Sequence, residues 1–255
     1  GPLPQDKVCS LRGQDIRRII HQEFSLEYSI DGVYYLLRYG LGMSYVKPRP
    51  HHYKADKDAQ ESFKKTFIAA GEYQQQYPNK KIEVWFQDES RFGQQGSLTH
   101  IWAQRGSRPC VDKQSEYKWA YMFGAVCPAS GNSVGYIMPT ANTHCMNLFL
   151  SEMSKVLDDG VHAVVVMDRA GWHSSRDLRI PANMTIQPLP AYSPELNPSE
   201  LLWLYLKSHY MSNRIYPDHN AIYQALCHAW QQISNDADLI KSICKTSWIY
   251  SEKLN

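Results

Sequence analysis

Residues 161–168 (VHAVVVMD) constrain the fold more than any other stretch of the chain, because Val164, Val165, Val166 and Met167 form an unbroken apolar run that closes on Asp168. A strand with one wet face alternates apolar and polar residues, so a continuous run predicts a central strand covered on both faces by helices. The fold class is therefore α/β. Sheets of this kind collect ligands beyond the carboxyl ends of their strands, which is where Asp168 falls.

A second strand is expected over residues 81–88 (KIEVWFQD). Ile82, Val84 and Phe86 share a face, and the period of two turns Asp88 the same way. An acid in register with an apolar face is costly unless it is paired or metal-bound. Taken singly, Asp88 also reads as an ordinary strand-end aspartate opening a turn. Glu89 falls on the opposite face or in that turn. Residues 94–115 are polar and punctuated by glycine, with a short strand expected at 99–103. Tyr117, Trp119, Tyr121 and Phe123 then alternate, and residues 133–138 return after a turn at 128–131 as an antiparallel hairpin adjoining the first strand.

Helical patterns cover residues 58–75, with Ala59, Phe63, Phe67 and Ala70 on one stripe, and 143–157, with Met146, Phe149, Leu150 and Met153 apolar and Gly160 as the stop. A further strand is expected over 184–189. Asn197-Pro198 opens a helix that places Glu200 at its third position. Glu200 is then either the acid of a capping box or a functional group facing Asp88 and Asp168. Two more helices, 218–233 and 239–250, present Ile222, Leu226, Ala229 and Ile233 as core, with Trp230 and Trp248 assigned to packing.

At the front, a helix over residues 14–24 carries Ile16, Ile19, Ile20 and Phe24 on one face. Ser29 is placed to cap a second helix, which Gly40 stops. This is the spacing of a helix-turn-helix, whose second helix would offer Asp31, Tyr34, Tyr35 and Arg38 to a DNA groove. The basic segment 45–52 (YVKPRPHH) is held extended by its prolines, so Lys47 and Arg49 could lie along phosphates. The plainer alternative is a helical hairpin followed by a linker. The division expected is residues 1–52 for this partial helix-turn-helix and linker, and 53–255 for the catalytic body. Gly1-Pro2 has the form of a scar left by tag cleavage and is set aside.

Composition excludes several classes. No apolar run approaches the ~18 residues needed to span a bilayer, and the start carries no signal-peptide pattern. The six cysteines lie far apart without a CxxC pair, so neither a zinc site nor a disulfide framework is indicated. Net charge is +2, with 12 Lys and Arg against 9 Asp and Glu in residues 1–80 and 15 against 16 in the rest. A cytoplasmic, nucleoid-associated protein with reduced thiols and no membrane partner is expected.

Three carboxylates in separate contexts, Asp88, Asp168 and Glu200, make a hard oxygen-donor set suited to Mg²⁺ or Mn²⁺ and to phosphodiester chemistry. The words FQDESRFG, MDRAGWHSS and LPAYSPELNPSELLW around them resemble signatures of the bacterial insertion-sequence branch of the mariner superfamily of transposases. The 31 residues between Asp168 and Glu200 match the separation of that superfamily.

The resemblance implies a ribonuclease-H-like mixed sheet flanked by helices and preceded by a small helix-turn-helix segment. It implies that Asp88, Asp168 and Glu200 are the catalytic triad and hold two Mg²⁺ ions, with Mn²⁺ able to substitute. Its implied partners are transposon ends, a target with a TA dinucleotide, and a second copy of the chain. It implies a dimer clamp in the loop 94–115, which carries Arg105 and Arg108, and it makes Arg169 a candidate phosphate contact. His173 would either approach the scissile phosphate or cap a helix after Trp172. Family members carry two helix-turn-helix units, and this chain has room for at most the second. A ribonuclease-H-like nuclease that cuts without joining, or a domesticated DNA-binding protein, are the alternatives.

Overall fold

A computed structural model describes residues 10–46, 52–68 and 71–249. The chain forms two compact units, Gly1–His51 and His52–Asn255.

In the first unit, α1 (Gly13–Phe24) begins where the Arg12 N–H donates to Asp15 Oδ2 at 2.9 Å. It ends at Ser25, whose φ of 54° is left-handed and whose N–H donates to the His21 carbonyl. Ser29 caps α2 (Ile30–Tyr35) by accepting from the Gly32 N–H at 3.0 Å. The helix then widens into a π-helical turn, Leu36–Gly40. Val33 is fully buried. The Tyr34 ring lies against Gly13, where an added Cβ would come within 2.6 Å of Cε1, so part of this side chain packs on α1 rather than facing outward. Arg38 is exposed. Lys47 and Arg49 lie outside the described residues.

The second unit is built on one five-stranded sheet in the order β3-β2-β1-β4-β5. Its strands are β1 (Lys81–Gly93), β2 (Trp119–Cys127), β3 (Asn132–Met138), β4 (Val161–Met167) and β5 (Met184–Pro188). β2 runs antiparallel to β1 and β3, whereas β4 is parallel to β1 and β5. This is the mixed sheet the resemblance implies.

Strand β1 does not stop at Asp88. Its residues 81–86 pair with β4, and residues 86–93 pair with β2, so the strand outlasts its parallel neighbour and continues on the ladder of its antiparallel one. Polar Glu89, Ser90 and Arg91 are tolerated because the β2 backbone satisfies them.

Every residue of β4 is buried. One face of the sheet is covered by α5 (Thr143–Val156), whose Met146, Phe149 and Leu150 pack with Trp85, Phe123 and Val165. On the other, α6 (Ser199–Leu206), α7 (His219–Ser234) and α8 (Ala237–Ile243) pack on Phe86, Phe92 and Val166. Ile222, Leu226, Ala229 and Ile233 of α7 are all buried, and each of the three larger ones is worth about 1.5–3 kcal/mol. Trp230 and Trp248 pack at the margin of the same core. Gly124 and Gly135 leave room for indoles, since a Cβ would come 2.5 Å from Trp203 Cη2 or 2.4 Å from Trp230 Cε2.

Several expected boundaries shift. Within residues 58–75 the described parts are helical, α3 (Lys57–Ile68) and α4 (Gly71–Gln76), and residues 69–70 lie outside the described residues. The strand expected at 99–103 does not form, because the Thr99 N–H and carbonyl are taken by the Asn213 side chain at 3.1 Å each. α5 ends before Gly160, at Leu157 in extended backbone, and α8 ends at Ile243 rather than 250. Among the described residues, no helix is long and apolar enough to cross a membrane.

Candidate active site

The helix α6 is fastened to β1 by its first residues. Asn197 Nδ2 donates to the Gln87 carbonyl at 2.9 Å and Ser199 Oγ to the Phe86 carbonyl at 2.8 Å. Asn197 Oδ1 also accepts from the Ser199 N–H, the first of the helix, at 3.1 Å, while Pro198 occupies the N-cap position. Glu200 is therefore the second helical residue, not the third. Among the described residues no donor reaches its carboxylate, so the capping box expected as one alternative is not made. Asp88 shares a face of β1 with Phe86 and Phe92, the side on which α6 packs. Asp168 follows the last residue of β4.

Asp88, Asp168 and Glu200 line one cavity of about 510 Å³, together with Arg169, Tyr192 and Asn197. Burial pushes the Asp88 carboxyl well above its usual range, and the charges of Glu200 and Glu89 push the same way. Trp203 opposes this by donating its indole N–H to Asp88 Oδ2 at 2.8 Å. Glu200 is also raised, first by partial enclosure and then by Asp168, although Lys207 pulls it down. Like charges thus accumulate around one space, as expected where a cation is to be held. The all-oxygen donor set fits Mg²⁺ or Mn²⁺. Among the described residues, no three such side chains are drawn together tightly enough to enclose an ion by themselves.

Asp168 is held differently. His173 Nδ1 lies 2.7 Å from Asp168 Oδ1, and His173 Nε2 lies 2.9 Å from Glu89 Oε1. Burial alone would lower this imidazole, but the hydrogen bonds to Asp168 and Glu89 outweigh it and His173 is pushed up to about 9. As an imidazolium it donates to both carboxylates. Asp168 is lowered in turn, chiefly by that hydrogen bond, and its Oδ1 also accepts the Ala170 N–H at 2.9 Å. No helix follows Trp172, so the capping role expected for His173 does not arise.

Three groups that sequence reasoning passed over complete the site: Glu89, set aside because its face is opposite, Trp203, and Asn197 in its bridging role. Glu89 does lie opposite Asp88, yet it reaches Asp168 through His173 beyond the end of β4, and Gln87 Nε2 steadies it at 2.9 Å. Of the remaining candidates, Arg169 borders the cavity with its Nε donated to the Leu189 carbonyl at 2.9 Å. Arg105 and Arg108 are exposed in the irregular segment between β1 and β2 and do not line the cavity.

Three acids thus meet at one cavity, from β1, from the end of β4 and from α6, on a mixed sheet flanked by helices. Residues 83–222 match the family of DDE superfamily endonucleases, and the chain belongs to that family. Residues 8–67 match a winged helix-turn helix model. An uncharacterized protein of Sinorhizobium fredii, y4pE/y4sA, is 41% identical over 132 residues, which are 52% of this chain and 98% of that one. Among solved structures, the Mos1 transposase paired-end complex with left transposon end superposes with a TM-score of 0.62 at 15% identity, over 96% of this chain and 76% of that one. The Mos1 strand transfer complex gives 0.61 over the same shares, also at 15%. The catalytic domain of Mos1 mariner transposase gives 0.52 at 15% identity, over 77% of this chain and 91% of that one. At these identities the likeness is one of fold.

Proposed function

We propose that this protein is a DNA transposase of an insertion sequence, which cuts at transposon ends and joins the freed 3′ ends to target DNA. The observation that carries the reading is the convergence of Asp88, Asp168 and Glu200, from three different elements, on one cavity. Family membership supports an endonuclease. The structural neighbours are described as paired-end and strand transfer complexes and as complexes with Mn and Mg, which supports DNA ends as substrate and a divalent cation as cofactor.

Each step is an in-line displacement at phosphorus. In the first, water attacks and the 3′-oxygen leaves, giving a 3′-hydroxyl. In the second, that hydroxyl attacks a target phosphodiester and another 3′-oxygen leaves. Asp88 and Asp168 with Glu200 would hold two Mg²⁺ ions, which supply the positive charge that both displacements need. The chain's own part is placement. Trp203 fixes one oxygen of Asp88, and His173, itself anchored by Glu89, fixes one oxygen of Asp168, so each acid keeps its other oxygen for the cavity. Arg169 at the rim is placed to meet a phosphate.

The front unit, with Arg38 and the segment holding Lys47 and Arg49, is the proposed DNA-end reader, in line with the winged helix-turn helix match. Tyr34 takes part only in so far as its contact with Gly13 leaves it free. The irregular segment carrying Arg105 and Arg108 exposes Leu98, Ile101 and Trp102, the last completely. Such an apolar tip supports the reading of a clamp against a second copy.

The test is incubation of labelled element-end DNA and a target plasmid with Mg²⁺. Covalent joining supports the transposase. Cutting without joining would leave a nuclease, and binding without cutting would leave a DNA-binding protein.

A further inference from the structure

Past Asp88, β1 runs on to a second cavity of about 290 Å³ at its far end. Arg91, Lys118 and Lys207 line it together with Phe92, Trp119 and Tyr216, and no carboxylate does. The Arg91 guanidinium stands 4.9 Å from the Trp119 ring centroid, and Lys207 Nζ stands 5.4 Å from that of Phe92. Among the described residues, none of the three cations has an ion-pair partner. Lys207 feels the charge of Glu200 without pairing with it, and cation–π contacts of about 0.5–1 kcal/mol hold Arg91 and Lys207 in place without neutralising them.

The walls are built rather than incidental. Gln94, 3% exposed, donates from Nε2 to the Tyr216 carbonyl at 2.7 Å and accepts the Lys118 N–H at 3.2 Å. Gln114 exchanges two hydrogen bonds with the Tyr216 backbone, at 2.9 and 2.6 Å. The segment leaving β1 is thereby stapled to the segment that follows α6, and the cationic groups are preorganised around a fixed opening.

Position supplies the ligand. Arg91 lies three residues beyond Asp88 on a strand, about 10 Å at ~3.3 Å per residue. Lys207 lies seven residues beyond Glu200 on a continuous helix, about 10 Å at 1.5 Å per residue. β1 and α6, which bring Asp88 and Glu200 to the first cavity, thus run on to Arg91 and Lys207 at the second, although Arg91 leaves β1 on the face opposite Asp88. Phosphates of one DNA strand advance about 3.4 Å per nucleotide along the helix axis.

We propose that the cavity of Arg91, Lys118 and Lys207 is a subsite for a backbone phosphate of the DNA strand, about three nucleotides from the phosphodiester at the carboxylates. The placement rests on the reading of the carboxylate cavity as the cutting site.

The experiment measures binding of a fluorescein-labelled duplex of random sequence by anisotropy across a KCl series, without Mg²⁺. Wild type is compared with Arg91→Gln, Lys118→Gln and the Lys118→Gln/Lys207→Gln pair, each with its melting temperature. Lys118 is exposed, so its single variant stays informative if the pair fails to fold. Loss of this one phosphate contact should weaken binding roughly 5–30-fold and reduce the slope of log affinity against log salt by about 0.9. An unchanged slope in the folded variants overturns the subsite.

Inorganic phosphate provides a second arm. If it raises the wild-type melting temperature but not the variants', while the DNA slope is unchanged, the cavity takes small anions and the DNA assignment is wrong. Mg²⁺-dependent cutting of an end duplex is scored separately. Cutting without a slope change sinks only the subsite, whereas a slope change in a protein that never cuts keeps the DNA contact and sinks the reading of the carboxylates.

Discussion

The Trp203 indole donates to Asp88 Oδ2 at 2.8 Å, and it can lie there because the cross-strand partner of Asp88 is Gly124. A Cβ at that glycine would stand 2.5 Å from Trp203 Cη2. One missing side chain thus makes room for the donor that orients Asp88, the acid proposed as catalytic.

Trp203→Phe keeps most of the packing and removes the hydrogen bond. A bond to a charged group is worth about 1.5–3 kcal/mol, so single-turnover cleavage should fall about 10- to 100-fold. Gly124→Ala should both slow cleavage and destabilise by about 1–3 kcal/mol through overpacking. Full activity in Trp203→Phe would show that Asp88 needs no such anchor.

His173 sets an expected pH profile. Its folded value is raised to about 9 from 6.5, so the stability it contributes is fully present below about 6.5 and is lost as pH rises through 9. The contribution is on the order of 3 kcal/mol. Chemical denaturation of the metal-free protein between these limits should show a decline that His173→Gln flattens. Parallel curves for the two proteins would contradict the bridge between Asp168 and Glu89.

Asp88 acts with the same sign. Its carboxyl is held above the usual range by burial and by neighbouring acids, so metal-free stability should fall as pH rises from about 4 toward its folded value. Divalent metal should restore stability at neutral pH through binding to the folded state. Asp168→Asn should abolish most of that restoration. Equal Mg²⁺ stabilisation of both proteins in calorimetry would count against the site.

At the front, Arg38 together with Lys47 and Arg49 should contribute about 0.9 to the salt slope of DNA binding for each phosphate contacted. Glutamine at all three positions should flatten the slope accordingly. If it does not, this segment touches no phosphate.

Much of this was legible in the sequence, for identifiable reasons. The short apolar run before Asp168, rich in valine, reads as a covered central strand, and the alternation of Ile82, Val84 and Phe86 put Asp88 on the face where Trp203 meets it, because period two is rigid. The length of β1 was not legible. Glu89, Ser90 and Arg91 look like the end of a strand, and only the β2 ladder explains their place within one. The His173 link was hidden because it joins residues 84 positions apart across the end of β4. Trp203 reads as core from its apolar neighbours, and nothing local reveals that its N–H meets an acid on another element.

Glu200 carries the sharpest test, since it lies in the first turn of α6 and makes no capping box there, the Ser199 N–H being taken by Asn197. Single-turnover cleavage of an end-containing duplex in Mg²⁺ is compared between wild type and Glu200→Gln, with melting temperatures alongside. The proposed role of Glu200 in holding Mg²⁺ predicts a variant slower by orders of magnitude, with stability unchanged or improved as repulsion from Asp168 and Asp88 is relieved. Wild-type cleavage by Glu200→Gln would contradict the three-carboxylate site.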